Sequence, residues 1–306
     1  MMFPAWFHGR APVTFLPDAF RIPKAFRIRK SIRDLRGLPE CLGVVGQFEV
    51  RLATTKAEIR KAQRLRYKVF YELGGAHASP ALSSLRRDIC KFDRVCDHIL
   101  IMDRTHVGKS GRIKPKVVGC YRVLRDDVAL KRLGFYSRGE FDLGPMLRAH
   151  PGKRFLEIGR SCVHPKYRSK RVIDLLWKGL WTYALHHHID IVFGCASFPG
   201  VDVRPFREAL SYLHHHAAPT SDFDVKPIPG RGFCTNLVGA GEMQAERVRD
   251  TLPPLVRGYL RVGARFSRGA VVDRQFGTID VFTILFMDEI AARYSDRFTR
   301  PIGRAA

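Results

Sequence analysis

Carboxylates are scarce in this chain: 29 Asp+Glu stand against 53 Lys+Arg, for a formal net charge of +24 over 306 residues. Beyond what a solvated surface absorbs, such an excess calls for a polyanionic partner: nucleic acid, an anionic membrane surface or an acidic protein. Metal-binding cysteine pairs are missing too. The seven cysteines (Cys41, Cys90, Cys96, Cys120, Cys162, Cys195, Cys234) are odd in number and no two are spaced Cys-x-x-Cys. This argues against a zinc ribbon and a disulfide framework and leaves reduced, mostly buried thiols. No apolar run approaches the roughly 20 residues that span a bilayer. No secretory core with a small-residue cleavage site opens the chain, so a cytoplasmic location is expected. Zinc-finger and RNP spacings, internal repeats and low-complexity tracts are absent, and the basic residues are spread along the chain. No nucleic acid is therefore expected as partner.

What is present reads as one mixed α/β unit with basic ends. Residues 1–46 form an amino-terminal extension. Pro4, Pro12, Pro17 and Pro23 interrupt it, and residues 24–38 then carry six Lys/Arg, with Ile28, Ile32 and Leu35 on one helical face. Such a stretch suits either peripheral contact with an anionic bilayer or packing on the domain with its charges in water. From Gln47 the pattern becomes regular. Phe48, Val50 and Leu52 alternate as a strand. Thr55 and Glu58 make a capping box opening a helix whose buried stripe is Ile59, Ala62, Leu65, Val69, Phe70 and Leu73. An irregular stretch, 74–97, leads to a hairpin of strands 98–103 and 116–125 with a long basic loop. Strands at 140–143 and 154–163, a helix at 170–188, a strand at 189–195 and a helix ending near His216 follow. This order makes a domain of residues 47–290, with a core at 47–218. Its carboxy-terminal completion, 219–290, opens with the "KPIPGRG" linker, continues with a basic helical region at 255–265, and includes a strand-like run at 279–287. Residues 291–306 are a basic tail.

The segment "LEIGRSCVHPKYRSKR", residues 156–171, starts as an apolar strand yet contains Glu157 and Arg160. Charges in a buried strand cost several kcal/mol unless paired or used on a ligand. In a regular strand these two side chains would point to opposite faces, but a bulge at Gly159 would bring them to one side and free a backbone N–H. A helix opening at residues 168–172 would add a phosphate-binding terminus. Carboxylate, guanidinium, free amide and helix terminus together suit acyl transfer, with the amide polarising a thioester and Glu157 accepting the amine proton. The alternative is a structural Glu157–Arg160 ion pair.

With these motifs in place, the chain resembles the GNAT acyltransferase fold, an α/β fold with a mixed, mostly antiparallel sheet flanked by helices. Within it, "LRYKVF", "CDHIL", "LEIGRSCVHPKYRSKR", "LLWKGLW" and "CASFPG" are similar to the ornithine acyl-carrier-protein N-acyltransferases. "LPPLVRGYLRVGARF" and "VVDRQFGTIDVF" resemble that family's carboxy-terminal segment. The spacing of Glu157 and Arg160, with Arg66, Asp93, Asp97 and Arg122 upstream, is also similar to the acyl-homoserine-lactone synthases. The resemblance implies transfer of a 3-hydroxyacyl group from acyl carrier protein to the α-amine of ornithine, the first step of ornithine lipid synthesis. It makes Glu157 the base or base-orienting group and Arg160 a cleft residue. Arg66 or Arg122 would take the ornithine carboxylate, and Asp93 or Asp97 its side-chain ammonium. No metal or resident cofactor is implied, because phosphopantetheine enters on the carrier. In one place the chain departs from the GNAT pattern: Ser169 and Arg171 stand where pyrophosphate-binding glycines usually do. That favours a carrier's single phosphodiester, held by Arg168, Ser169, Lys170 and Arg171, over free coenzyme A. Carriers of this type are acidic, which gives the positive charge a partner. A lactone synthase, a coenzyme A dependent acetyltransferase and a basic nucleic-acid-binding protein remain the rival readings.

Other signals carry less. His98 and Asp103 match a His-x-x-x-x-Asp acyltransferase pattern, but five residues apart in a strand they face opposite sides. The histidine triplets at 186–188 and 214–216 end helices, where partly cationic side chains favour the dipole. Trp177 and Trp181, four apart on a helix, read as core.

Overall fold

The structure is a computed structural model that describes residues 37–290 apart from Lys109. The basic tail and nearly all of the amphipathic amino-terminal stretch lie outside the described residues. The chain runs through β1 (Gly43–Val45), β2 (Phe48–Leu52), α1 (Lys56–Tyr67), α2 (Pro80–Leu85), β3 (Asp97–Asp103), β4 (Lys116–Arg125), α3 (Asp126–Ala129), β5 (Phe141–Asp142) and α4 (Gly144–Ala149). It continues through β6 (Phe155–Val163), α5 (Lys170–His186), β7 (Ile191–Pro199), α6 (Arg207–His216), β8 (Lys226–Pro227), β9 (Gly232–Cys234), α7 (Ala245–Thr251), α8 (Pro254–Arg261), β10 (Arg265–Asp273) and β11 (Thr278–Phe286).

Nine of these strands form one sheet in the order β1-β2-β3-β4-β6-β7-β11-β10-β9. Every neighbouring pair is antiparallel except β6 and β7. The mixed, mostly antiparallel sheet expected from the sequence is present, and the segment 219–290 completes it through β9, β10 and β11. The extension ends earlier than expected: β1 and the buried Leu38 and Leu42 belong to the sheet and its core.

Period-two burial gives the sheet two covered faces. Ile99, Ile101, Tyr121, Val123, Leu156, Ile158, Val192, Ala196, Ile279 and Val281 pack beneath α5, α6 and α8 on the first. On the second, Leu100, Met102, Cys120 and Cys162 lie under Ala62 and Leu65 of α1. Phe155, Phe193, Val271, Phe282 and Ile284 lie there under Phe135, Phe141, Leu143 and Met146. Trp177 is core as expected, stacked on Trp181 and edge-on to Tyr259.

Three local expectations fail for identifiable reasons. The capping box of Thr55 and Glu58 forms, but Leu73 is exposed. After α1 the helix becomes a π-turn, Lys68–Glu72, whose extra residue per turn rotates the stripe off the sheet. The strand expected at 140–143 shrinks to β5, two residues paired with β8 outside the main sheet. The basic helix ends at Arg261, and the residues after it enter β10, a strand the sequence hides. Its pairing with β11 shifts between Phe266 and Ala270, which disrupts the alternation.

Candidate active site

The site begins with an irregularity in β6. Cys120 pairs with Cys162 and Arg122 with Gly159, so Arg160 and Ser161 together face Tyr121 across a β-bulge. The bulge falls one residue beyond Gly159, and Arg160 itself takes φ +52°. That left-handed conformation costs a residue with a Cβ about 1–2 kcal/mol. The extra residue delivers what the parity argument required: Glu157 and Arg160 line the same cavity.

On its other edge β6 pairs with β7 only from Phe155↔Ile191 to Glu157↔Phe193, although both strands continue. Gly194 sits at the parting, where a Cβ would lie 2.2 Å from the Ile158 carbonyl oxygen. Gly194→Ala is therefore expected to force the strands apart and to destabilise the protein by about 1–3 kcal/mol, as overpacking does. Urea denaturation checks this, and unchanged stability would mean the strands do not meet there.

The parting opens a cavity of about 280 Å³. Its walls include Glu157 and Cys195 from the second face and Ile158, Leu255 and Tyr259 from the α8 side, so it runs through the sheet between β6 and β7. On the second face its floor crosses five strands: Arg122 on β4, Glu157 and Arg160 on β6, Cys195 and Ser197 on β7, Asp280 on β11 and Asp273 on β10. Guanidinium groups stand at one end and carboxylates without guanidinium partners in the sheet at the other.

Glu157 is 5 % exposed and is not paired with Arg160. Its Oε1 accepts from Ser137 N and Ser137 Oγ, and its Oε2 from Tyr136 N, each at 2.6 Å. Burial pushes its pKa up, while the Ser137 and Tyr136 hydrogen bonds oppose the shift. Arg160 lies between the rings of Tyr136 and Phe276, 4.8 and 4.3 Å from their centroids. It donates to Asp88 at 3.2 Å and to the Tyr136 hydroxyl at 3.2 Å. Neither charge is half of the ion pair that the structural reading required.

Behind this wall Arg66, fully buried, donates to Asp88 Oδ2 at 2.7 Å, Asp88 O at 2.6 Å and both Asp93 oxygens at 2.9 Å. Burial works against the Asp93 carboxylate, but the Arg66 guanidinium outweighs it and holds the pKa well below the usual range. Arg122 reaches Asp93 at 3.6 Å and stacks over Tyr136. Three guanidinium groups (Arg66, Arg122, Arg160) thus share Asp88 and Asp93, while Glu157 is held by Tyr136 and Ser137, and the formal charges of the wall sum to zero.

The acceptor residues expected from the resemblance lie in different surroundings. Asp97 lies on the opposite face, where it binds Arg125 at 3.2 Å and the Tyr183 hydroxyl at 2.7 Å. Strand parity places it there, since it alternates with the residues of the second face. Arg66 and Asp93 are engaged with internal partners, although Arg66 Nη1 has none within hydrogen-bond distance, and neither residue lines the cavity, whereas Arg122 does. Arg168, Ser169, Lys170 and Arg171 cluster at the start of α5 and do not line the cavity either. Ser169 caps the helix by accepting from Val172 N, Arg168 donates to Val163 O at 3.1 Å, and Lys170 pairs with Asp174 at 2.7 Å.

His98 and Asp103 face opposite sides as expected. His98 contacts Asp93 O, while Asp103 accepts from Gln47 and Thr105. His214 and His215 bond Thr235 and the Val238 carbonyl. Sequence reasoning missed Tyr136, Ser137, Asp88, Glu140, Asp273, Phe276 and Asp280. Asp280 carried the same signal as Glu157, a carboxylate inside an apolar strand. Asp273 ends β10, whose period is broken, and the others sit in turns and loops without a periodic signature. Among the described residues, Glu140, Cys195 and Asp280 form the one cluster whose donor atoms lie close enough to share a cation, all within 4.8 Å of one another.

A family model described as an acetyltransferase (GNAT) domain matches residues 65–178. The chain is 43% identical over 265 residues to an L-ornithine N(alpha)-acyltransferase of Rhizobium meliloti, covering 87% of this chain and 88% of that protein. It is 43% identical over 252 residues to one of Agrobacterium fabrum, covering 82% and 85%. Among solved structures, an N-acyl amino acid synthase from uncultured soil microbes aligns with a TM-score of 0.41 at 11% identity, over 80% of this chain and 94% of that one.

Proposed function

The chain belongs to the family of L-ornithine N(alpha)-acyltransferases, and from that premise we propose that it moves a 3-hydroxyacyl group from acyl carrier protein to the α-amine of ornithine. It is an acyltransferase of the GNAT type. The observation that carries the finer reading is the cavity itself, which passes through the sheet and brings Glu157 to the gap between β6 and β7.

A phosphopantetheine arm entering along that gap from the α5 and α8 side would present its thioester beside Glu157. The acceptor would lie on the second face. The amine nitrogen attacks the thioester carbon, the carbon–sulfur bond breaks, and the amine's proton leaves through Glu157 to the departing thiolate. Glu157 Oε2 holds a single hydrogen bond, from Tyr136 N, and retains a lone-pair direction for that proton. Tyr136 and Ser137 fix the carboxylate, so its orientation is set before substrate arrives.

The donor end follows from charge. Arg168, Lys170 and Arg171 at the start of α5 suit one phosphodiester, and the wider basic surface suits the acidic helices of a carrier. Membrane contact through the amino-terminal stretch fits a product with an acyl chain. Among the described residues no helix is long and apolar enough to cross a membrane.

The test is an assay of the purified protein with ornithine and either 3-hydroxyacyl carrier protein or the matching acyl coenzyme A, at two ionic strengths. Carrier-dependent acyl-ornithine is expected, with apparent affinity falling as salt rises. Reversing Arg168 and Arg171 to glutamate should raise the apparent KM for the carrier at least tenfold while that for ornithine holds. Equal use of coenzyme A together with indifference to salt would sink the carrier reading, and an acyl lactone product would replace the acceptor.

A further inference from the structure

We propose that Glu140 and Asp280 hold the side-chain ammonium of the acceptor and thereby restrict the enzyme to a diamino acid. The inference rests on the ornithine reading above and identifies the residues that would enforce it. These are not Asp93 and Asp97, which are occupied by Arg66 and by Arg125 with Tyr183.

The oxygens of Glu140 and Asp280 and the sulfur of Cys195 lie within 4.8 Å of one another, a spacing that one ammonium can bridge with hydrogen bonds to both carboxylates. Asp280 is 8 % exposed and lines the cavity, with the Ser197 and Thr278 hydroxyls beside it, yet its Oδ1 has no partner within hydrogen-bond distance. An acceptor left in this state costs about 1–3 kcal/mol, and a cationic ligand explains why it is kept. Desolvation raises Glu140 to about 7, with the Asp280 and Asp273 carboxylates adding to it, and burial raises Asp280 to about 6. A bound cation relieves both groups.

Charge order along the floor gives the acceptor its direction. With the ammonium at β11, the α-carboxylate points toward Arg122 and Arg160 on β4 and β6, and the α-amine falls between, beside Glu157. A metal ion is the less fitting occupant. Cys195 donates to Glu140 at 3.7 Å as a thiol, and burial holds it far from the thiolate that a metal requires.

The test compares ornithine with norvaline, its analogue ending in a methyl group, in the wild-type enzyme and in Glu140→Gln, Asp280→Asn and the double variant. Hydrogen bonds to charged groups of this strength predict a rise in ornithine KM of about 10-fold or more for each single variant and about 10²-fold for the double. The kcat for ornithine should fall much less, and norvaline should be used as well as before or better. Replacing buried carboxylates by amides preserves volume, and thermal melting verifies folding; should the double variant not fold, the single ones suffice. If wild-type enzyme acylates ornithine but the variants keep the full preference over norvaline, the inference is overturned and the functional reading stands. If wild-type enzyme acylates no amino acid, the functional reading itself fails and this inference with it. Activity lost to EDTA and restored by Zn²⁺ alone would assign the cluster to a metal and overturn the proposal.

Discussion

Glu157→Gln is expected to lower turnover by about 10²- to 10⁴-fold, the usual range for loss of general-base help. The amide keeps the shape of the carboxylate but turns one acceptor oxygen into a donor facing the backbone N–H groups of Tyr136 and Ser137. A stability loss of about 1–3 kcal/mol should accompany it. The kinetic effect must therefore be read where melting curves show the variant folded. Two further readouts separate a base from a brace. Carrier KM should be nearly unchanged. The acid limb of the wild-type pH–rate profile, placed above the ordinary glutamate range by burial of Glu157, should disappear in the variant. Full turnover with an unaltered pH profile would reduce Glu157 to an anchor for the turn at residues 136–139.

Arg66→Ala should be the most damaging single change to the fold, at about 3–5 kcal/mol, because it strips the nearest guanidinium from two buried carboxylates and leaves them only Arg160 and Arg122 at longer range. Against a typical total of about 5–15 kcal/mol, that is a large share of the protein's stability. The pH dependence gives the mechanism. In the wild type the folded-state pKa of Asp93 is depressed, so its contribution is present above the unfolded value of about 3.9 and is lost as pH falls through the folded one. Without Arg66, burial dominates and raises the carboxyl. The variant should then lose stability as pH rises toward neutral, opposite in sign to the wild type. His98 adds to acid sensitivity in both proteins. Burial, with Arg66 nearby, lowers it to about 3, so its stabilising share is present above about 6.5 and lost on acidification. Urea denaturation at pH 3, pH 5 and pH 8 checks the slopes. A variant as stable as the wild type at all three would show that the network carries no such weight.

The sequence disclosed most of the sheet and half of the site, and the division has a physical basis. Strands such as β3 and β4 alternate or run fully apolar, and α1 announces itself with a capping box, so both were readable. β10 was not, because its bulge breaks the period on which the reading depends. Glu157 and Arg160 were visible as charges in an apolar strand. The acidic end of the floor was overlooked although Asp280 interrupts β11 in the same manner, and Glu140, which does not itself line the cavity, is brought beside Asp280 only by the fold. Arg66, Asp93 and Asp97 show the opposite limit. Residue type and order name charged groups, but only burial and parity tell which are consumed in neutralising one another.

The placement of β11 also bears on how the protein is made. It is the last strand among the described residues, yet it lies inside the sheet, inserted between β7 and β10 and paired with β7 along its whole length. During synthesis, β7 therefore waits as an unprotected edge, with its backbone groups available to any passing strand, until the final hairpin leaves the ribosome. Because such distant segments must meet, folding of this half is slow by comparison with a local hairpin. The same docking brings Asp273 and Asp280 to the cavity, so the acidic end of its floor takes shape only once β10 and β11 have joined the sheet.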